Sequence, residues 1–438
     1  MKRLTFILLT LFTFTLFGNY SEVFAASEPP SVTGQSVVVM DANTGAVVFG
    51  RNEHTQYPPA STTKLMTILL TLENCKMDEI VTVGSIPPFV EGSKIYIHEG
   101  EEMTVEQMLY AVIMASANDC ATALAEHISG SIEAFAELMN KRAKELGAMD
   151  TNFENPHGLY GETHRSTTYD LALIEKELLK YPKYVEISQT KSLLMNVTNK
   201  SEEQRPLWND NRLVQDGDSK YYPYAVAGKT GYTDESKHSY VASAKKENQG
   251  FVVAILYDEQ KAYYNEVEAV FEWAFENFTT QKLFSKGDQI GVYTTSNGTN
   301  IPLIIEDDIY YSKDLTSDTQ PKVVIDTDSL SGKYFNAGEP ITSVNITYNN
   351  QTYTAKVSST INYEEKTLPV FGDTVTTEKN TIDYIKLIKI IVGSIIGILI
   401  LFLILILVIR RINLKKRKRK NMYVSTYKSK GKKTYKNY

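Results

Sequence analysis

Two groups of strand-like residues stand far apart in this chain, and most of what lies between them reads as helix. Residues 36–40 and 46–51 have the apolar, β-branched texture of strands and flank a turn-rich Asp41-Ala42-Asn43-Thr44-Gly45. Residues 251–257 form another apolar run, of the length of a buried strand. Between them, Leu65, Ile68, Leu69 and Leu72 recur at helical spacing after Ser61. Thr104-Val105-Glu106-Gln107 is a capping box ahead of Met108, Leu109, Val112 and Ile113. Ala121, Leu124, Ala125 and Ile128 mark a further helix after Asn118. Ser131 caps one that carries Phe135, Leu138, Met139, Ala143 and Leu146 and stops at Gly147. Residues 266–275 close the unit as a helix. Strands at both ends of such a unit are satisfied only if distant segments meet in one sheet, which the helices then cover. The expected fold class is α+β.

Beyond about Lys282 the texture changes to period-two alternation. Val323-Val324-Ile325, then Val344, Ile346 and Tyr348, and Tyr353, Ala355 and Val357 around Asn349-Asn350, predict a small all-β domain over 282–371. A polar linker (372–387) leads to an apolar segment, 388–409, whose last 20 residues are uncharged. That is enough to cross a bilayer core of about 30 Å as a transmembrane helix. Residues 1–25 read as a signal peptide, with Lys2 and Arg3, an apolar stretch over 4–17, and Val23-Phe24-Ala25 as cleavage signal. The tail 410–438 holds 13 Lys and Arg and no acid, which places it in the cytoplasm and the body outside the cell. A single-pass protein of a bacterial cell membrane, Gram-positive in type, is the localisation these segments imply.

The remainder of the chain has 33 basic against 52 acidic residues, which excludes nucleic acid as its partner. Cys75 and Cys120 are too few for a disulfide scaffold, and both fall in or beside apolar helical segments, so two buried free thiols are expected. The six histidines show no metal-ligand spacing, so neither metal nor cofactor is expected.

Chemistry enters through three polar motifs. Pro59-Ala60-Ser61-Thr62-Thr63-Lys64 places a serine and a lysine one helical turn apart. Ser116-Ala117-Asn118 and Lys229-Thr230-Gly231 follow, at spacings of 55 and 113 residues. Ser-x-x-Lys also occurs at Ser188, Ser243, Ser425 and Ser429, but only Ser61 opens a strongly amphipathic helix. A serine hydroxyl becomes a competent nucleophile when a base takes its proton, and Lys64 is that base if it runs neutral. An ordinary lysine, with a pKa of about 10, is protonated at neutral pH. Lys64 must therefore be desolvated, or crowded by a second cation such as Lys229. Taken singly, Ser116 and Asn118 fit a helix cap equally well, and Lys229-Thr230-Gly231 fits a solvated turn.

With Asn155-Pro156-His157-Gly158-Leu159 and Gly228-Lys229-Thr230-Gly231-Tyr232-Thr233, these motifs resemble those of the serine D-Ala-D-Ala carboxypeptidases, the low-molecular-mass penicillin-binding proteins of peptidase S11 type. The resemblance covers about 36–278. It implies a β-lactamase/transpeptidase-like catalytic domain, bounded here at 30–280, acting on peptidoglycan stem peptides and acylated by β-lactams. By resemblance Ser61 is the nucleophile and Lys64 its base. Ser116 relays the proton to the leaving amine, and Asn118 hydrogen-bonds Lys64 and the substrate amide. The backbone N–H groups of Ser61 and Tyr232 form the oxyanion hole. Lys229, Thr230 and Gly231, with Thr233 as a second hydroxyl, receive the substrate carboxylate. Residues 225–233 are expected as an edge strand along which the peptide adds. No catalytic role attaches to His157, and Glu154 is the carboxylate to examine as a water activator. Relatives often carry an arginine where this chain reads Tyr257-Asp258-Glu259-Gln260-Lys261; either Lys261 substitutes, or Lys229 and the two threonines bind the carboxylate.

Competing functions are weaker on the same residues. A β-lactamase needs a deacylating base, usually in a Glu-x-x-Leu-Asn segment, and the chain has none. A β-lactam receptor needs a cytoplasmic effector, for which the 29-residue tail is too short and too polar. A catalytically dead wall-binding protein is opposed by the intact motifs.

Overall fold

The N-terminal hairpin forms as its turn predicts. Strands β1 (Ser36–Asp41) and β2 (Val47–Arg51) pair antiparallel, and Asp41 Oδ1 accepts the amides of Asn43 and Thr44 within the turn. The structure is a computed structural model, and it describes residues 28–364. The expected signal peptide, transmembrane helix and basic tail lie outside the described residues. Among those described, no helix is long and apolar enough to cross a membrane.

A 3₁₀ turn, Ala60–Thr63, leads directly into helix α1 (Lys64–Asn74). The short strands β3 (Ile80–Thr82) and β4 (Glu102–Thr104) pair ahead of α2 (Val105–Met114). The capping box is complete: Thr104 Oγ1 accepts the Gln107 amide at 3.1 Å, and Gln107 Oε1 accepts the Thr104 amide at 2.8 Å. Helices α3 (Asn118–Ser129) and α4 (Ile132–Glu145) follow, the second capped by Ser131 as its sequence predicts. Next come α5 (Thr168–Leu178), α6 (Pro182–Ser188) and a hairpin of β5 (Ser192–Met195) and β6 (Arg205–Trp208), none of which stands out in the sequence. Strands β7 (Ala225–Thr233), β8 (Lys237–Lys246) and β9 (Gln249–Asp258) and helix α7 (Tyr263–Asn277) complete the unit.

The two strand groups meet. The five-stranded antiparallel sheet runs β2-β1-β9-β8-β7, so β1 from one end of the unit lies beside β9 from the other. Side chains alternate across it. Val38, Met40, Val252, Ala254 and Leu256 face the large core shared with α1 to α6. Val37, Val39, Phe251, Val253 and Ile255 face a second core closed by Val267, Val270, Phe271 and Ala274 of α7. Burial on both faces explains why β9 is a continuous apolar run.

After α7 the chain enters the all-β part. Strand β10 (Phe278–Phe284) pairs with β13 (Ile309–Asp314). Strands β11 (Gln289–Thr294), β12 (Asn300–Ile305), β14 (Lys322–Ile325), β15 (Pro340–Tyr348) and β16 (Gln351–Ser358) form a five-stranded sheet in the order β11-β12-β16-β15-β14. Asn349 and Asn350, both at positive φ, make the tight β15–β16 turn. Gln351 reaches back to β2: its Oε1 accepts the Val47 amide at 3.1 Å, and its side-chain amide donates to the Val47 carbonyl. Both cysteines are free, but only Cys120 is buried; Cys75, at the C-terminal end of α1, is partly exposed.

The joint between α5, α6 and β8 contains a carboxyl group with no contact to water. Glu175 accepts the Tyr184 hydroxyl at 2.7 Å and the Ser243 hydroxyl at 2.8 Å, and burial raises its pKa to about 7 against these bonds. Between pH 4.5 and about 7 the folded state keeps a proton that the unfolded state has released, so stability falls as pH rises through this window. The loss amounts to at most about 3 kcal/mol. Urea denaturation of Glu175→Gln at pH 5 and pH 8 should show a smaller difference between the two pH values than wild type, by about 1–3 kcal/mol. An unchanged difference would show that Glu175 does not titrate as described.

Candidate active site

Ser61 is placed by a strained turn. It lies in the 3₁₀ segment rather than in the first α-helical turn, as the sequence had suggested, and Lys64 is the first residue of α1. Side chains three apart in a 3₁₀ turn nearly eclipse, which brings Lys64 onto the Ser61 side. Lys64 Nζ donates to Ser61 Oγ at 2.9 Å and to the His157 carbonyl at 2.7 Å. Ala60, just before the serine, sits at φ 48°, a left-handed conformation that an alanine holds only under external support.

That support comes from two directions. Ser239 Oγ of β8 donates to the Pro59 carbonyl at 2.8 Å. Gly231 of β7 lies so close that a Cβ there would stand 2.8 Å from the Ser61 backbone nitrogen and 3.0 Å from Ala60 Cβ. From the other side, Thr67 Oγ1 donates to the Pro156 carbonyl at 2.6 Å, and Thr63 Oγ1 bonds His164 Nε2 at 2.8 Å. Gly158, at φ 88°, lies so close that a Cβ there would stand 1.8 Å from the Ala60 carbonyl oxygen.

The second motif does not cap a helix. The N-cap of α3 is Ala117, and no side chain makes a capping bond there. Ser116 is held at φ 56°, and its hydroxyl is buried with no hydrogen-bond partner among the described residues. Asn118 Nδ2 donates to the Glu91 carbonyl at 2.6 Å, while its Oδ1 is buried and unpartnered. The bond from Asn118 to Lys64 implied by the resemblance is not among the contacts; the His157 carbonyl is Lys64's second partner. Neighbouring Asp119 accepts the amides of Ile95, Ile97 and Cys120 at 3.1, 3.2 and 2.9 Å, fixing the loop before β4 against α3.

The third motif lies on β7, which is an edge strand of the sheet over Ala225–Thr233 as expected. Lys229 is 2 % exposed and donates to the Thr230 carbonyl at 3.0 Å. Thr230 is half-buried, and the Tyr232 side chain is exposed. Thr233 Oγ1 is tied to Ser236, bonding its Oγ at 3.0 Å and accepting its amide at 3.0 Å, so this hydroxyl also serves the β7–β8 turn. Lys261 follows the end of β9, where Asp258 pairs with His238 of β8, and His238 in turn pairs with Tyr232 near the Thr233 end of β7. Glu154 is exposed and committed to Thr163, whose amide and hydroxyl both donate to it.

Residues 22–260 match the family model described as D-alanyl-D-alanine carboxypeptidase, peptidase S11. This chain belongs to that family. Residues 278–369 match the C-terminal domain of penicillin-binding protein 5, in agreement with the all-β part of the fold. D-alanyl-D-alanine carboxypeptidase DacF of Bacillus subtilis is 37% identical over 273 residues, which are 60% of this chain and 68% of that one. DacD of Escherichia coli is 31% identical over 306 residues, 66% of this chain and 76% of its own. Among solved structures, penicillin binding protein 5 from Haemophilus influenzae superposes with a TM-score of 0.64 at 26% identity, covering 77% of this chain and 99% of that one.

The electrostatics of this S11 site answer the question left open about the base. Burial lowers the Lys64 pKa well below its ordinary value, the Lys229 cation lowers it further, and Asp119 opposes both. Desolvation and crowding therefore act together, with desolvation the larger. Lys229 is itself lowered to about 8 by burial, against the pull of Asp210. His157 is pushed down to about 3 by burial and by Lys64, so its ring is neutral, and Nδ1 accepts the Leu159 amide at 3.2 Å. The contribution of His157 to the site is its carbonyl, which no side-chain motif could signal.

Replacing Gly158 by alanine tests how tightly Ser61 is placed. The added Cβ has no room beneath the Ala60 carbonyl, and the positive φ adds strain. Gly158→Ala should lower the rate of acylation by penicillin at least ~100-fold, the scale of an ångström-sized misplacement. Circular dichroism should remain that of a folded protein. Wild-type acylation in the variant would mean that this contact does not position Ser61.

Proposed function

We propose that this protein is a serine-type D-alanyl-D-alanine carboxypeptidase that removes the terminal D-alanine from peptidoglycan stem peptides and is acylated by β-lactams. The observation that carries the reading is the Lys64 amine, fully buried, with a depressed pKa and 2.9 Å from the Ser61 hydroxyl. Membership of the S11 family supports the same activity.

The steps follow from the geometry. Neutral Lys64 takes the Ser61 proton as Oγ attacks the carbonyl carbon of the penultimate D-alanine. The negative charge that forms on the carbonyl oxygen is received by the backbone N–H groups of Ser61 and Tyr232, a pairing that the close packing of Gly231 against the Ser61 nitrogen supports. The C–N bond breaks as Ser116, whose hydroxyl is buried and without a partner among the described residues, gives its proton to the departing amine and takes in its place the one Lys64 holds, which leaves Lys64 neutral again. Water then attacks the acyl carbon, Lys64 takes its proton, and that proton passes to Ser61 Oγ as the ester bond breaks. The substrate lies along the open edge of β7, with its carboxylate at Lys229 and Thr230 and with Thr233 and Lys261 at the far end. The signal-like N-terminus and apolar C-terminal segment support a role outside the cell, anchored to the membrane by one helix.

Penicillin should add once per chain to the Ser61 peptide, read by intact-mass spectrometry and peptide mapping. Ser61→Ala should abolish both the adduct and D-alanine release from a diacyl-Lys-D-Ala-D-Ala peptide. Lys64→Met keeps the packing but removes the base, and should slow acylation ~10²–10⁴-fold. An adduct persisting in Ser61→Ala, or near-normal acylation in Lys64→Met, would overturn these assignments.

The pH dependence has a defined sign. Lys229 binds a carboxylate only while protonated, and its free-enzyme pKa is about 8. kcat/KM should therefore fall as pH rises through about 8, and the fall should be displaced to higher pH in Lys229→Arg, because arginine stays charged. An alkaline limb unmoved in that variant assigns it to another group.

A further inference from the structure

Cys75, Glu79 and His127 play no part in the reaction, yet their side chains converge at one place. The Cys75 sulfur, a Glu79 carboxylate oxygen and a His127 ring nitrogen all lie within 4.8 Å of one another. Glu79 Oε1 and His127 Nε2 are already 2.9 Å apart. A tetrahedral ion with bonds of about 2.0–2.3 Å requires ligand atoms about 3.3–3.8 Å apart, so small side-chain rotations suffice to bring the three into place.

We propose that Cys75, Glu79 and His127 form a binding site for a zinc-class divalent cation, with water completing a tetrahedral shell. The donor set selects the ion. A thiolate and an imidazole favour zinc over magnesium or calcium, which prefer oxygen ligands. The charges balance as well: one thiolate and one carboxylate neutralise a divalent ion. Cys75 supplies its thiolate by releasing one proton to solvent on binding, since burial and Glu79 hold the free thiol up at about 11.

The place in the fold supplies a second argument. Cys75 is the C-cap of α1, and His127 lies in the last turn of α3, which ends at Gly130 in a left-handed cap. Two of the three ligands thus belong to helix C-terminal turns, where positive charge is favoured. Glu79 is anchored beside them: its Oε2 accepts the Lys76 amide at 3.2 Å, and its carbonyl accepts the Val105 amide at 2.9 Å. The opposite ends of the same two helices carry Lys64 and Asn118. A bound ion therefore clamps together the far ends of the helices that present the first and second motifs.

The test uses the full chain in detergent, stripped with chelator and titrated with Zn²⁺ alone, with Mg²⁺ as control. One equivalent of zinc should bind with a Kd of about 1 µM or tighter. It should raise the melting temperature by about 5 °C at saturation. Bound zinc should slow alkylation of Cys75 at least ~10-fold, while magnesium does neither. Cys75→Ser, His127→Ala and Glu79→Gln should each weaken zinc binding ~10–100-fold or more. All three should keep wild-type penicillin acylation in chelator, which shows that they fold. Absence of saturable zinc binding overturns the proposal. So does binding that survives Cys75→Ser or His127→Ala, since the ion would then sit elsewhere.

Discussion

A lysine amine held without water beside a serine hydroxyl is the arrangement on which this structure turns. Burying a cation is costly, and Lys64 meets that cost by favouring its neutral form, the form a general base requires. Its two hydrogen bonds, to Ser61 Oγ and the His157 carbonyl, fix the amine between the serine hydroxyl and the backbone of the Asn155–Leu159 segment. Asp119 works against this depression from α3, and Lys229 works with it from β7. The basicity of Lys64 is thus set first by its burial and then by charges on the two elements that carry the other motifs.

Their meeting depends on close backbone approach. Gly231 and Gly158 lie on opposite sides of the turn that carries Ser61, and at each a side chain would collide with the backbone of that turn or the residues on it. The left-handed Ala60 and the left-handed Ser116 are local distortions that neighbouring segments hold in place. Ser239 and His164 complete the clasp by bonding the residues on either side of Ser61. Ala60 and Ser116 thus put two left-handed non-glycine residues at the chemistry, while others, such as Tyr257 in β9, lie in the sheet and its turns.

Helices α1 and α3 connect this chemistry to the rest of the molecule. Each presents a catalytic-motif residue at its N-terminus, and each delivers a potential metal ligand near its C-terminus. The shared core between them, including Leu65, Ile68, Leu69, Ala121 and Leu124, transmits position from one end to the other. The all-β part contacts the opposite edge of the sheet through Gln351 of β16, which bonds Val47 of β2, well separated in the strand order from β7.

Much of this was legible in the residues alone, because it depends on local rules. Period-two and helical spacing marked the strands and most helices, the capping box at Thr104 and the cap at Ser131 marked two helix starts, and the order of three polar motifs marked the chemistry. Helices α5 and α6 were not legible, since their burial is decided by what they pack against rather than by a strong stripe of their own. Nor could local pattern reveal that Ser116 and Asn118 leave buried oxygens unpartnered instead of capping α3. The second partner of Lys64 is a backbone carbonyl, and every residue type has one, so composition carries no trace of it. Cys75, Glu79 and His127 show no metal-like spacing because the third ligand comes from another helix. Side-chain identity and periodicity are written along the chain; desolvation, close approach and convergence exist only once distant segments share the same space.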